Sequence, residues 1–307
     1  MRTVLATGAS ARYGNHLLNA LASIQRRSNI FDDVLAFDLG LSPFQRRLLN
    51  GMRGVEVRTV PPFVPHWAQG FTWKTWIWTH VEADAIVWLD AGITVLRSLH
   101  DFVVEIGKRG YFAVSQEVPV RDCIPSDYYG LYGLDERIGD KPTIAAGVIG
   151  FATEGAFFSN VIVPTYEDAV RGMSLGFSTA DVEPQNRGLQ LTTDVIIRDC
   201  PAFRWDQTLL NIHIYKSMPD LVVNDMNKYA GWRSPHDHPE QVLWHHRRRG
   251  DYRALPRARY DHWTAVVGVP WGSAVYLRSL YQTYRWILRP AFYRNLFKRL
   301  ALRLSRR

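Results

Sequence analysis

Apolar positions in the first 170 residues alternate between two periods. Short β-branched or fully apolar runs at 3–7, 34–37, 55–60, 85–89, 110–115 and 143–151 read as strands. Between them lie segments with helical spacing, at 15–27, 43–50, 72–81 and 154–171; the first carries Leu17, Leu18, Leu21 and Ile24 on one face. This order predicts an α/β fold, a mostly parallel sheet with helices on both faces. After residue 172 the texture changes. Residues 174–193 are polar with glycines and a proline and read as a long loop. Helical spacing returns at 205–215 through Leu209, Leu210, Ile212 and Ile214, followed by strand-like runs at 221–223 and 242–244.

Composition fits a folded globular chain, with 47% hydrophobic and 21% charged residues among 307. The net charge of +8 is uneven. Residues 263–307 hold nine of the 37 basic residues and no acidic one, so residues 1–262 sum to −1. This division predicts a near-neutral body over 1–262 and a basic tail over 263–307, and it excludes a protein that coats nucleic acid along its whole length. Two cysteines, Cys123 and Cys200, are too few for a disulfide framework and suit a reducing cytosol. The run after Met1-Arg2 is apolar only briefly before Arg12, so no secretory signal is expected.

Candidate chemistry begins with exclusions. Thr7-Gly8-Ala9-Ser10 with Gly14 suggests a glycine-rich dinucleotide turn, but Arg12 holds the position where the backbone must approach a pyrophosphate. No Tyr-x-x-x-Lys pair and no Gly-x-x-x-x-Gly-Lys loop occurs, which removes short-chain dehydrogenases and P-loop nucleotidases. The informative segment is 73–99, where a helix carrying Lys74 leads into a strand that ends on Asp90-Ala91-Gly92. An acid at the carboxyl end of a buried strand stands where α/β sheets bind ligands.

That segment resembles the nucleotide-sugar edge of GT-A fold glycosyltransferases, especially the family-8 enzymes of bacterial surface glycans. The resemblance implies a GT-A type, Rossmann-like mixed sheet and a donor that is a nucleotide-diphosphate sugar, UDP-sugar by default. The family's strand ends Asp-x-Asp and binds a divalent metal; here Gly92 replaces the second acid and Asp90 alone remains. Residues 144–151, with Ala146 and Gly147, resemble the family's Asn-Ala-Gly-Val strand beside the donor sugar, with Ala145 in place of the asparagine. Arg204-Trp205-Asp206-Gln207-Thr208 resembles its Asp-Gln-Asp helix start, which implies that Asp206 and Gln207 face the anomeric carbon. His245-His246-Arg247-Arg248-Arg249-Gly250 corresponds to its late histidine and phosphate-binding element. The implied metal ligands are then Asp90, His245 and His246, for manganese or magnesium. Lys74, Arg247, Arg248 and Arg249 would neutralise the diphosphate, guanidinium groups binding phosphate bidentately. Retention of anomeric configuration follows from the same resemblance.

Eleven tryptophans are many for this length, and Trp67, Trp73, Trp76 and Trp78 fall within twelve residues. Aromatic faces suit sugar rings, yet Trp76 and Trp78 read as packing, with Trp67 open. In the tail, residues 272–307 alternate apolar and basic positions around Pro290, the pattern of amphipathic helices lying on anionic membranes. The expected partners are a nucleotide sugar, a glycan or lipid-linked glycan acceptor and an anionic membrane surface. Nucleic acid ranks below docking, since no nucleic-acid fold accompanies the basic stretch. The expected location is the cytoplasmic face of the membrane. The alternative is a non-catalytic protein that keeps the sugar-nucleotide fold and assembles through its tail.

Overall fold

A computed structural model describes residues 1–176, 200, 202–229, 231 and 238–245. The chain starts with β1 (Thr3–Ala9), α1 (Gly14–Arg27), β2 (Asp33–Asp38), α2 (Pro43–Asn50) and β3 (Glu56–Thr59). It continues with α3 (Thr72–His80), β4 (Ala85–Leu89), β5 (Ile93–Val95), α4 (His100–Arg109), β6 (Tyr111–Pro119) and α5 (Ser126–Tyr132). The remaining elements are β7 (Pro142–Ala152), α6 (Val163–Val170), α7 (Asp206–Ser217), a turn of helix at Met226–Tyr229, and β8 (Leu243–His245).

Six strands form one sheet among the described residues, ordered β3-β2-β1-β4-β7-β6. The first four run parallel, and β7 is antiparallel to both β4 and β6. β5 and β8 pair antiparallel as a separate two-stranded sheet. β1 and β4 bury both faces, and alternate residues of β4 divide between two cores. Ala85, Val87 and Leu89 join α1, α2 and α4; Ile86 and Trp88 join α3, α6 and α7. Local signals agree with these elements: Ser42 and Gln45 form a reciprocal capping box on α2, with Pro43 opening the helix.

Sequence expectations change in three places. The helix expected over 154–171 instead forms a π-helical turn at Phe158–Ile162 before α6, with Pro164, which lacks an N–H, at the junction. Residues 221–223 are not a strand: Val222 is 52% exposed, and only Asn224 bridges to Val114. Helices α4 and α5 were not anticipated, because each buries too few apolar residues to set a period; α4 buries Phe102 and Ile106 alone. The tail at 263–307, and all of the polar stretch at 174–193 after residue 176, lie outside the described residues.

Helix α7 is buried continuously from Asp206 to Tyr215 although six of those residues are polar or ionisable. Each has a partner, which makes their burial tolerable. Thr208 donates to the Cys123 carbonyl at 2.8 Å, and His213 Nε2 lies 2.7 Å from Asp168. Asn211 binds both peptide groups of Ile144: its Oδ1 accepts from the N–H at 2.6 Å, and its Nδ2 donates to the carbonyl at 3.0 Å. Asp206 and Gln207 find theirs at the site.

Candidate functional site

Lys74 joins the site's elements. Its side chain leaves the first turn of α3 and is buried, with 2% of the residue exposed. The ammonium lies 2.7 Å from Asp206 Oδ2 and 3.2 Å from Asp90 Oδ1, and it donates to the Ala146 carbonyl at 3.4 Å. Its remaining surroundings are aromatic: Phe71, Trp88 and Trp78 place ring centroids 5.2, 5.6 and 5.7 Å from Nζ. Four segments thereby converge on one cation: α3, the end of β4, the middle of β7 and the start of α7.

Asp90 is fixed from several sides. Trp88 Nε1 donates to its Oδ1 at 2.8 Å, and its own N–H donates to the Gly147 carbonyl at 2.9 Å. Glycine at 147 is required by this approach, because a Cβ there would stand 2.7 Å from Asp90 Oδ2. Alanine at 147 must therefore displace the carboxylate whose other oxygen holds Trp88 and Lys74. Gly147→Ala is expected to lower turnover about a hundredfold, the typical effect of misplacing a reacting group by an ångström. Gly150→Ala, where the obstacle is the flexible Cδ1 end of Ile106, leaves turnover near wild type. Donor-hydrolysis rates of the two variants check this.

One ammonium serves two carboxylates, and their environments separate them. Burial opposes charge on Asp90, but Lys74 and His245 outweigh it and hold its carboxyl below the usual range. Burial dominates at Asp206, which is pushed up to about 6 despite Lys74, with Asp90 adding to the rise. Burial also works against charge on Lys74, and the two carboxylates more than reverse it, so the ammonium stays protonated.

The remaining candidates divide. Gln207 donates from Nε2 to Gln116 Oε1 at 2.8 Å, and Arg204 donates to the same oxygen at 2.8 Å. Gln116 and Arg204 are site neighbours that sequence reading missed; Gln116 lies on β6, and nothing in its local sequence marks it. His245 pairs with Ile93 across the β5–β8 ladder, so that a Cβ on Gly92 would meet its ring at 3.8 Å. His246 and Arg247, Arg248 and Arg249 lie outside the described residues. Trp78 is fully buried; Trp76 stacks on His80 at 4.6 Å; Trp67 and Trp73 pack against the same core.

Of the three expected metal ligands, Asp90 and His245 are described and His246 lies outside the described residues. Asp90 Oδ1 is occupied by Lys74 and Trp88, Gly92 supplies no ligand, and among the described residues no three His, Cys, Asp or Glu side chains cluster. Among the described residues no helix is long and apolar enough to cross a membrane.

No protein-family model matches the chain, nor does any curated protein sequence. Solved structures do. The apo structure of WbbM, described as a bifunctional glycosyltransferase, aligns over 90% of this chain and 51% of its own at TM-score 0.55 and 12% identity. The chain thus spans about half the length of that protein. The galactosyltransferase LgtC, in complex with donor and acceptor sugar analogues, aligns over 88% of this chain and 95% of its own, at TM-score 0.48 and 13% identity. Mouse xyloside xylosyltransferase 1 aligns over 80% and 97%, at TM-score 0.47 and 12% identity. The sheet order, the antiparallel β7 and the likeness to WbbM together show that the chain has the fold of the GT-A glycosyltransferases.

Proposed function

We propose that the protein is a glycosyltransferase that moves a sugar from a nucleotide-diphosphate sugar, UDP-sugar by default, to a hydroxyl of a glycan acceptor. The observation that carries this reading is the Lys74–Asp90–Asp206 cluster, set at the carboxyl end of β4 in this fold. In the transfer, the bond from the anomeric carbon to the diphosphate oxygen breaks and a bond to the acceptor oxygen forms. Negative charge grows on the departing diphosphate, and cations fixed beforehand stabilise it without reorganising. Lys74 is such a cation, and Arg247, Arg248 and Arg249 are assigned the same task. Ala146 and Gly147 line the donor sugar, and Asp206 and Gln207 face the anomeric carbon, which is transferred with retention. The acceptor belongs to a cell-surface or envelope glycan, and the basic segment 272–307 holds the enzyme against the anionic inner face of the membrane. The glycine at 92 favours one rival, a protein that binds nucleotide sugars and turns none over.

Incubation with UDP-, GDP- and ADP-sugars, each with manganese, magnesium or chelator, tests the reading through thermal protection and donor hydrolysis. Protection and turnover by one donor, lost in Asp90→Ala, are expected. Protection without turnover selects the rival. Neither one overturns both readings. The metal arms decide whether a divalent cation acts beside Asp90. Flotation with anionic liposomes, compared with a chain ending at residue 262, tests the tail; equal flotation overturns the membrane role.

A further inference from the structure

Among the described residues two that are not glycine have positive φ: Phe71 at 57° and Trp205 at 47°. A bulky aromatic is a poor occupant of that region, where its Cβ crowds the backbone. At Trp205, ψ is −109°, further from anything an L-residue prefers. The positions correspond. Phe71 immediately precedes α3, which carries Lys74, and Trp205 immediately precedes α7, which opens on Asp206.

The two rings meet with centroids 5.6 Å apart, and both residues remain open to solvent, Phe71 38% and Trp205 41% exposed. Two kinds of cost thus coincide, backbone strain and exposed aromatic surface. Glycine at either position would avoid both. The pair also borders the ion cluster, since the Phe71 ring lies 5.2 Å from the Lys74 ammonium that contacts Asp206.

We propose that Phe71 and Trp205 form a stacking platform that holds a pyranose ring beside the Lys74–Asp206 pair. A pyranose presents a face of C–H groups, slightly positive, which suits the negative face of an aromatic ring. Its hydroxyl rim needs polar groups nearby, and the closest ones here are the buried Lys74 ammonium, 5.2 Å from the Phe71 ring, and Asp206, next in sequence to Trp205. The inference rests on the glycosyl-transfer reading above, and the ring belongs either to the donor's sugar or to the acceptor's.

The test uses Phe71→Gly and Trp205→Gly, which remove the ring and relieve the strain, and Trp205→Leu, which keeps bulk and strain but has no aromatic face. Saturation-transfer NMR with methyl β-galactopyranoside and methyl β-glucopyranoside reads the acceptor arm. Calorimetric affinities for UDP-glucose and UDP-galactose, relative to UDP alone, read the donor arm. All three variants are expected to lose about tenfold in one arm, matching a stacking contact near 1.4 kcal/mol, with UDP affinity unchanged. The glycine variants should melt no lower than wild type. Loss of the glycoside signal identifies the acceptor, and loss of the advantage of UDP-sugar over UDP identifies the donor. The platform is overturned if Trp205→Leu keeps both arms, if the glycine variants melt lower yet bind equally, or if wild type shows a sugar-dependent signal in neither arm. Wild type that binds neither nucleotide nor nucleotide sugar overturns instead the glycosyl-transfer reading itself.

Discussion

Replacement of Lys74 by methionine lowers folding stability by about 3–5 kcal/mol at pH 7.5 and abolishes turnover. Methionine fills the space and keeps the helix, so the loss isolates the charge. Removing one partner from a buried ionic cluster leaves the others without compensation, which costs more than the cluster itself contributes. Here two carboxylates lose their shared ammonium. Both then hold protons more tightly in the folded chain than in the unfolded one, so the folded state binds the excess protons and stability falls as pH rises. The deficit is therefore smaller at pH 5 than at pH 7.5. Urea midpoints of the variant and wild type at the two pH values measure it; a deficit that is small and equal at both would show that the three groups do not act as one buried network.

Asp206→Asn separates function from stability in the other direction. Turnover is expected to fall by about 10²–10³, the usual effect of deleting one preorganised group that acts at the reacting centre. Stability at pH 7.5 is expected to hold or rise. In wild type, burial pushes the Asp206 carboxyl up to about 6, whereas an unfolded aspartate titrates near about 4. Its stabilising contribution is thus complete below about pH 4 and is lost as pH rises through 6. Asparagine has no proton to lose, so the variant's stability lacks that decline. Asp90 behaves oppositely: burial opposes its charge, Lys74 and His245 outweigh it, and its contribution disappears only as pH falls through its lowered value. A variant that loses stability together with activity would mean that Asp206 is a structural ion-pair partner and little else.

How much of this could be read in the chain follows from the range of each signal. β4 and its terminal Asp90 were legible because a five-residue apolar run ending in an acid is a local pattern. The helix at Asp206 was legible for the same reason. Lys74 could be named as a candidate but not as a residue buried between two acids, since its partners lie 16 and 132 positions away. Gln116 carries no motif and meets Arg204 across 88 residues, so neither contact shows in the local sequence. Phe71 and Trp205 were hidden for a different reason: positive φ is normally signalled by glycine, and here the signal is an aromatic that violates the rule. The run at 221–223 misled because hydrophobicity alone does not place a segment in a sheet; Val222 faces solvent.

The two hydrogen bonds from Asn211 to Ile144 have a consequence for how the protein can be altered. They lock α7 to β7 at one register, five residues from Asp206 and three from Gly147. That clasp ties the spacing of Asp206 to that of Gly147. One residue inserted between 144 and 147, or between 206 and 211, would turn one wall of the site away from the other.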